Sequence, residues 1–157
     1  MGQNKIGFLN SINKTLVFFA VLASCGFAQA QICFNDLNSY NAVKSKLPKA
    51  LQSEPLYAIH ESWDLTGAFR IVPVGNNIEI DAHIHSTFAG LINETAIVTK
   101  ACLTDDQLEV DLNDGKSKTI TVNATSLTIQ GYDFDITTAA EYQKVASKVP
   151  ASLEEIQ

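Results

Sequence analysis

The three histidines of the chain, His60, His83 and His85, fall close together in sequence. His83 and His85 flank Ile84 in a run, Ile78 to His85, whose hydrophobic period is two. In a β-strand that spacing puts Asp81, His83 and His85 on one face, with about 7 Å between alternate Cα atoms. Two imidazoles on one side of a sheet, joined by His60 and a carboxylate, make a donor set for zinc or copper. The same alternation also describes a plain solvated strand face, because Ile78, Ile80, Ala82 and Ile84 point the other way. Both readings stand: a metal site of His60, His83, His85 and Asp81, or polar surface.

Other chemistry finds less support. There is no Gly-x-Ser-x-Gly elbow to expose a nucleophile. Asp105-Asp106 falls in a turn, and Asp133 and Asp135 share the polar side of a strand, where solvation explains them better than hydrolysis does. Asp111 to Gly115 resembles a calcium loop, but its glycine comes one position early and the distal glutamate is missing, so a hairpin turn explains it better. Asn93-Glu94-Thr95 and Asn123-Ala124-Thr125 match the glycosylation sequon, which matters only in a eukaryotic source. The chain therefore reads as non-enzymatic, with no cofactor expected. Trp63, Tyr57, Phe69 and Phe88 lie near the first two strands. They are either core residues or, where they line a cavity, Trp63, Phe69 and Phe88 are the residues that touch a ligand.

The N-terminus sets the context for any such site. Residues 1–14 carry Lys5 and Lys14 and no acid, and Thr15 to Ala28 is an apolar run too short for a comfortable membrane span. Ala28-Gln29-Ala30 then offers the small-x-small pattern of a signal-peptide cleavage site. Residues 1–30 are expected to be removed, leaving an exported protein, periplasmic or secreted. A competing pattern, Leu22-Ala23-Ser24-Cys25, would instead leave Cys25 as a lipidated N-terminus, the one route by which a membrane becomes a partner. Cys33 and Cys102 remain in either case, and in an oxidising compartment they are expected to form a disulfide. It would close a loop of about 70 residues and stabilise by roughly 4 kcal/mol on the chain-entropy model. The net charge of −6 becomes more negative once Lys5 and Lys14 leave. That disfavours nucleic acid and anionic surfaces and is compatible with a basic protein partner.

The elements that must position these residues are mostly strands. Asn35-Asp36 can cap a helix with Leu37, Tyr40, Val43 and Leu47 on one side, ended by Pro48. From Leu56 the period changes to two. Strands are expected over Leu65–Val74, Ile78–His85, Thr95–Leu103, Leu108–Leu112, Thr119–Val122, Leu127–Ile129 and Tyr132–Ile136, joined by short turns. Thr138 to Lys148 reads as a terminal helix, and 151–157 as a loose tail. The expected fold is mainly β: one domain over 31–150, an antiparallel meander of about seven strands, with a helix at each end. Such a meander curls into a small barrel or a strongly bent sheet, since a flat one leaves bare edges.

At Leu65-Thr66-Gly67-Ala68-Phe69-Arg70-Ile71 the chain resembles the small lipocalin-like (calycin) barrels, which open their first strand with Gly-x-Trp after a helical turn. Gly67-Ala68-Phe69 stands at that position with Phe in place of Trp, and the architecture matches over residues 60–148. The resemblance implies a barrel that carries a small apolar ligand. The expected function is thus an exported binding protein for such a ligand. The alternatives are a cell-envelope protein-interaction module, or an inhibitor of a cationic enzyme such as a lysozyme, and more remotely a zinc or copper protein.

Overall fold

The computed structural model describes residues 30–88 and 90–152. Apart from Ala30, the expected signal segment with Cys25 lies outside the described residues, as do residues 153–157 of the tail. The elements run β1 (Ile32–Phe34), α1 (Leu37–Val43), two single 3-10 turns (Lys44–Lys46 and Lys49–Leu51), β2 (Leu56–Glu61), β3 (Leu65–Val74), β4 (Asn77–Ser86), β5 (Gly90–Thr104), β6 (Gln107–Leu112), β7 (Ser117–Val122), β8 (Ser126–Ile129), β9 (Tyr132–Thr137) and α2 (Ala139–Ala146). Strands β2 to β9 pair each with the next, β9 pairs back to β2, and every pairing is antiparallel. The result is a closed up-and-down barrel of eight strands, one more than the sequence reading expected. The extra strand is β2, where His60 occupies an inward position and interrupts the apolar alternation begun by Leu56 and Ala58.

Closure depends on β5. Its first half, Gly90 to Ile97, pairs with β4, and its second half, Val98 to Thr104, pairs with β6. The register shifts between Val98 and Lys100, so Thr99 is an extra residue, and its hydroxyl donates to the Asp111 carbonyl at 3.0 Å. Such a bulge bends the strand and reverses which residues face inward. Ile92, Glu94, Ala96 and Val98 point into the barrel before it; Ala101 and Leu103 do so after it. On the edge that β4 leaves free, β1 pairs with Ala101–Leu103, and Cys33 lies directly opposite Cys102 with the sulfurs bonded. The expected staple is therefore formed across two neighbouring strands.

The lower half of the barrel is a packed core. Leu56, Ile78, Val98, Leu108, Val110 and Leu127 are buried there in one cluster. Helix α1 sits at this end. Asp36 caps it by accepting from the Ser39 amide at 2.7 Å while the Ser39 hydroxyl accepts from the Asp36 amide at 3.1 Å, a reciprocal capping box. The Leu37 amide donates to the Asn76 carbonyl in the β3–β4 turn at 2.9 Å, fixing the helix to the barrel. Tyr40 packs edge-to-face on Phe34 and its hydroxyl donates to the Leu51 carbonyl at 2.6 Å. Helix α2 lies instead on the outside, covering β2 and β3 with Tyr142 and Val145 against Ala68, Tyr57 and Ile59.

Burial, helped by the nearby Glu54 carboxylate, pushes the Tyr40 phenol up to about 12. An unfolded tyrosine titrates near 10. Between those values the unfolded chain releases a proton that the folded one keeps, so stability is intact below pH 10 and falls as pH rises towards 12. The loss is expected to reach roughly 2 kcal/mol. Urea unfolding at pH 9 and pH 11.5 should show a smaller alkaline loss in Tyr40→Phe than in the native protein; equal losses would contradict the assignment.

Candidate functional site

The barrel is filled at the α1 end and open at the other. The open end carries the β2–β3 turn with Trp63, the β4–β5 turn with Phe88, the β6–β7 loop with Lys116, and Gln130-Gly131 between β8 and β9. The reason for the opening is the length of β6. It ends at Leu112 opposite Val98, so the stretch of β5 from Gly90 to Ala96 has a strand neighbour on one side only. Ala82, Ile92, Ile129 and Tyr132 face inward there and are only half-buried, unlike their counterparts lower down. They border an apolar cup, floored by Phe69, Ile80 and Ile84, with Ser86, Gln130 and Tyr132 at its rim. The cup has two adjoining lobes of about 50 and 30 Å³. That is shallow: it suits a short alkyl or single-ring group and excludes a long acyl chain held in full.

Opposite the missing β6 segment, charge replaces backbone pairing. Glu94 and Lys118 both face the cup. Lys116 reaches Glu94 at 2.6 Å and Asp114 at 3.1 Å, and Lys118 reaches Glu94 at 3.6 Å. The Lys116 hydrogen bond, joined by the Lys118 charge, holds the Glu94 carboxyl below the usual range against its partial burial. A second apolar cleft, about 40 Å³, lies between α1 and the barrel floor beside Leu37, Tyr40, Leu51 and Ile71. It is a seam between a helix and the barrel it plugs, with almost no polar group turned into it.

The residues singled out by sequence are dispersed. Phe69 is 4% exposed and belongs to the floor of the cup. Trp63 is 83% and Phe88 76% exposed, and their rings meet edge-to-face, centroids 6.0 Å apart and planes at 88°. The Thr87 amide donates to the Asp64 carbonyl at 2.9 Å, which clamps the two turns side by side.

The proposed metal set does not come together, and among the described residues no group of three potential ligands is close enough to hold an ion. His60 faces into the barrel mouth, whereas His83 and His85 lie on the outer face of β4. The physical reason is that His60 shares the inward parity of Leu56 and Ala58 on β2, the opposite parity from His83. Its Nδ1 donates to the Asp133 carbonyl at 2.7 Å and its Nε2 meets the Ser62 hydroxyl at 2.9 Å. His83 is bonded to the Asn93 side chain at 3.0 Å.

Asp81 is not on a solvated face either. It is 3% exposed, shielded by α2 and ion-paired with Arg70, its cross-strand partner. Arg70 in turn lies over the Tyr142 ring at 5.6 Å. Burial raises the Tyr142 phenol. Among the described residues, its hydroxyl and Asp81 Oδ1 have no hydrogen-bond partner. The turn at Gly75-Asn76 fixes the hairpin register that sets Arg70 opposite Asp81, a signal already present in the sequence.

Gly67, the glycine of the lipocalin-like pattern, has a packing role. It lies on the second barrel strand rather than the first, and a Cβ there would stand 2.8 Å from Phe134 Cε1 and 3.3 Å from Ile84 Cγ1. The Phe134 ring occupies the space a side chain would need. No protein family, curated protein or solved structure matches this chain. Among the described residues no helix is long and apolar enough to cross a membrane.

Two substitutions test this framework by chemical denaturation. Gly67→Ala should cost about 2 kcal/mol by overpacking against Phe134, and Phe134→Leu in the same chain should recover part of it. Arg70→Met should cost about 3 kcal/mol by leaving the Asp81 carboxylate buried without its partner. An Arg70→Met protein as stable as the native one would show that the pair contributes nothing to holding α2.

Proposed function

We propose that this protein is a non-enzymatic binding protein that takes a small apolar ligand at the open end of its barrel. The observation that carries the reading is the half-exposure of Ala82, Ile92, Ile129 and Tyr132, apolar side chains turned inward in a part of the barrel that no described residue fills. A binding cavity is concave and largely apolar with a few convergent polar groups, and Ser86, Gln130 and Tyr132 supply those here. The closed up-and-down barrel with a helix near each end supports kinship with lipocalin-like carriers. The Cys33–Cys102 bond supports an exported setting, periplasmic or secreted, or anchored through Cys25.

The exposure of Trp63 and Phe88 favours a second reading, an envelope protein-interaction module that presents its loop tips to a partner. The two readings separate on one experiment. A calorimetric titration with 1-hexanol should show saturable binding, and Ala82→Leu, which fills the cup, should weaken it at least tenfold while the melting temperature holds. Binding unchanged by Ala82→Leu, or absent in the native protein, would remove the carrier reading and leave the loop tips as the functional surface.

A further inference from the structure

The rim of the cup carries a second feature that the apolar reading leaves unused. The Trp63 and Phe88 rings stand almost perpendicular, so their faces border a common corner open to solvent. Two aromatic faces at right angles are half of a cage for an organic ammonium group, which is drawn to the negative face of each ring. The turn that carries Trp63 also carries Asp64. The Asp64 carboxylate accepts from the Ser62 hydroxyl at 2.6 Å and from the Tyr132 hydroxyl at 3.4 Å. Both donors are neutral, and the Ser62 bond, with a smaller contribution from the nearby His60 ring, holds the Asp64 carboxyl below the usual range.

Several of the other charges at this end are ion-paired, and the Asp133 carboxylate accepts from the Thr128 hydroxyl. Glu61 is ion-paired with Lys148, and Lys116 and Lys118 are held by Glu94 and Asp114. His60 is engaged with Ser62 and the Asp133 carbonyl. The corner and the cup are also contiguous. The Phe88 amide donates to the Ser86 hydroxyl at 3.2 Å, and Ser86 and Tyr132 are both rim residues of the cup.

We propose that the ligand is an amphipathic organic cation, with its ammonium headgroup in the Trp63–Phe88 corner beside Asp64 and its short apolar tail in the cup. This rests on the carrier reading and adds the chemical class of the ligand. The chain's net charge of −6 acts in the same direction by drawing cations to the protein.

Three probes with six-carbon chains test it: hexyltrimethylammonium, 1-hexanol and hexanoate. Trp63 is the only tryptophan, so its emission reports the corner directly. Calorimetry reports binding anywhere. The expected result is that the cation binds at least tenfold more tightly than the alcohol and hexanoate most weakly, with the cation alone shifting Trp63 emission. Added salt should narrow the gap between cation and alcohol. Asp64→Asn and Phe88→Ala should each reduce cation affinity several-fold and leave 1-hexanol binding as it was. Cation and alcohol within threefold of each other, or hexanoate tightest, would overturn the inference while leaving the cup intact. No binding of any of the three would overturn both. The comparison of probes on the native protein decides the matter even where a variant fails to fold.

Discussion

The partner exchange along β5 is the constraint on which the rest of the structure depends. One strand cannot be paired on both edges over fifteen residues when β6 is only six residues long. The Thr99 bulge resolves this by turning β5 from β4 to β6 and closing the ring. Below it, every strand has two neighbours, inward side chains meet across the barrel, and the core is tight. Above it, Gly90 to Ala96 lacks one neighbour and the wall is completed by Glu94, Lys116 and Lys118. An ion pair at a partly exposed position is worth far less than a ladder of backbone hydrogen bonds. The open end is therefore the less tightly held end of the barrel.

The two helices divide their work along the same line. Helix α1, pinned by its capping box and by Asn76, plugs the packed end and is tied to β5 through β1 and the Cys33–Cys102 bond. Helix α2 leaves the interior alone and shields the outer face of β2 and β3, including the Arg70–Asp81 pair. Beneath it, Asp81 Oδ1 of β4 and the Tyr142 hydroxyl of the helix are buried without a hydrogen-bond partner among the described residues, which makes this the less well satisfied of the two contacts. Neither helix contributes a residue to the lining of the cup.

Much of this was legible in sequence where one strand face is buried and the other wet. The strands from Leu108 to Ile136 follow the pattern because each alternates cleanly between core and solvent. Legibility failed where that condition failed. The expected strand Thr95–Leu103 stops short of the opening of β5, Gly90 to Glu94, because the inward residues there are Glu94 and a half-exposed Ile92. Strand β2 is not legible by pattern because His60, an inward residue, sits where an apolar one would mark the face. The metal set failed for the same reason: His60 has the opposite parity from His83 and His85, and a short strand gives parity only once its partner is known. Trp63 and Phe88 were picked out by type, but their exposure follows from lying at turn tips, and their contact follows from the pairing of Leu65 with Ser86. Asp64 and Tyr132, which complete the rim, are distant in sequence and meet only in the closed barrel.

The central claim is that the upper half of the barrel is the receptive half, and methyl NMR of isoleucine-labelled protein tests it most directly. On titration with 1-hexanol, the δ-methyl resonances of Ile84, Ile92 and Ile129 should move together and saturate, while Ile71 and Ile78 at the α1 end stay fixed. Movement of Ile71 and Ile78 with the upper set unmoved would place the receptive site in the seam beside α1 and contradict the account.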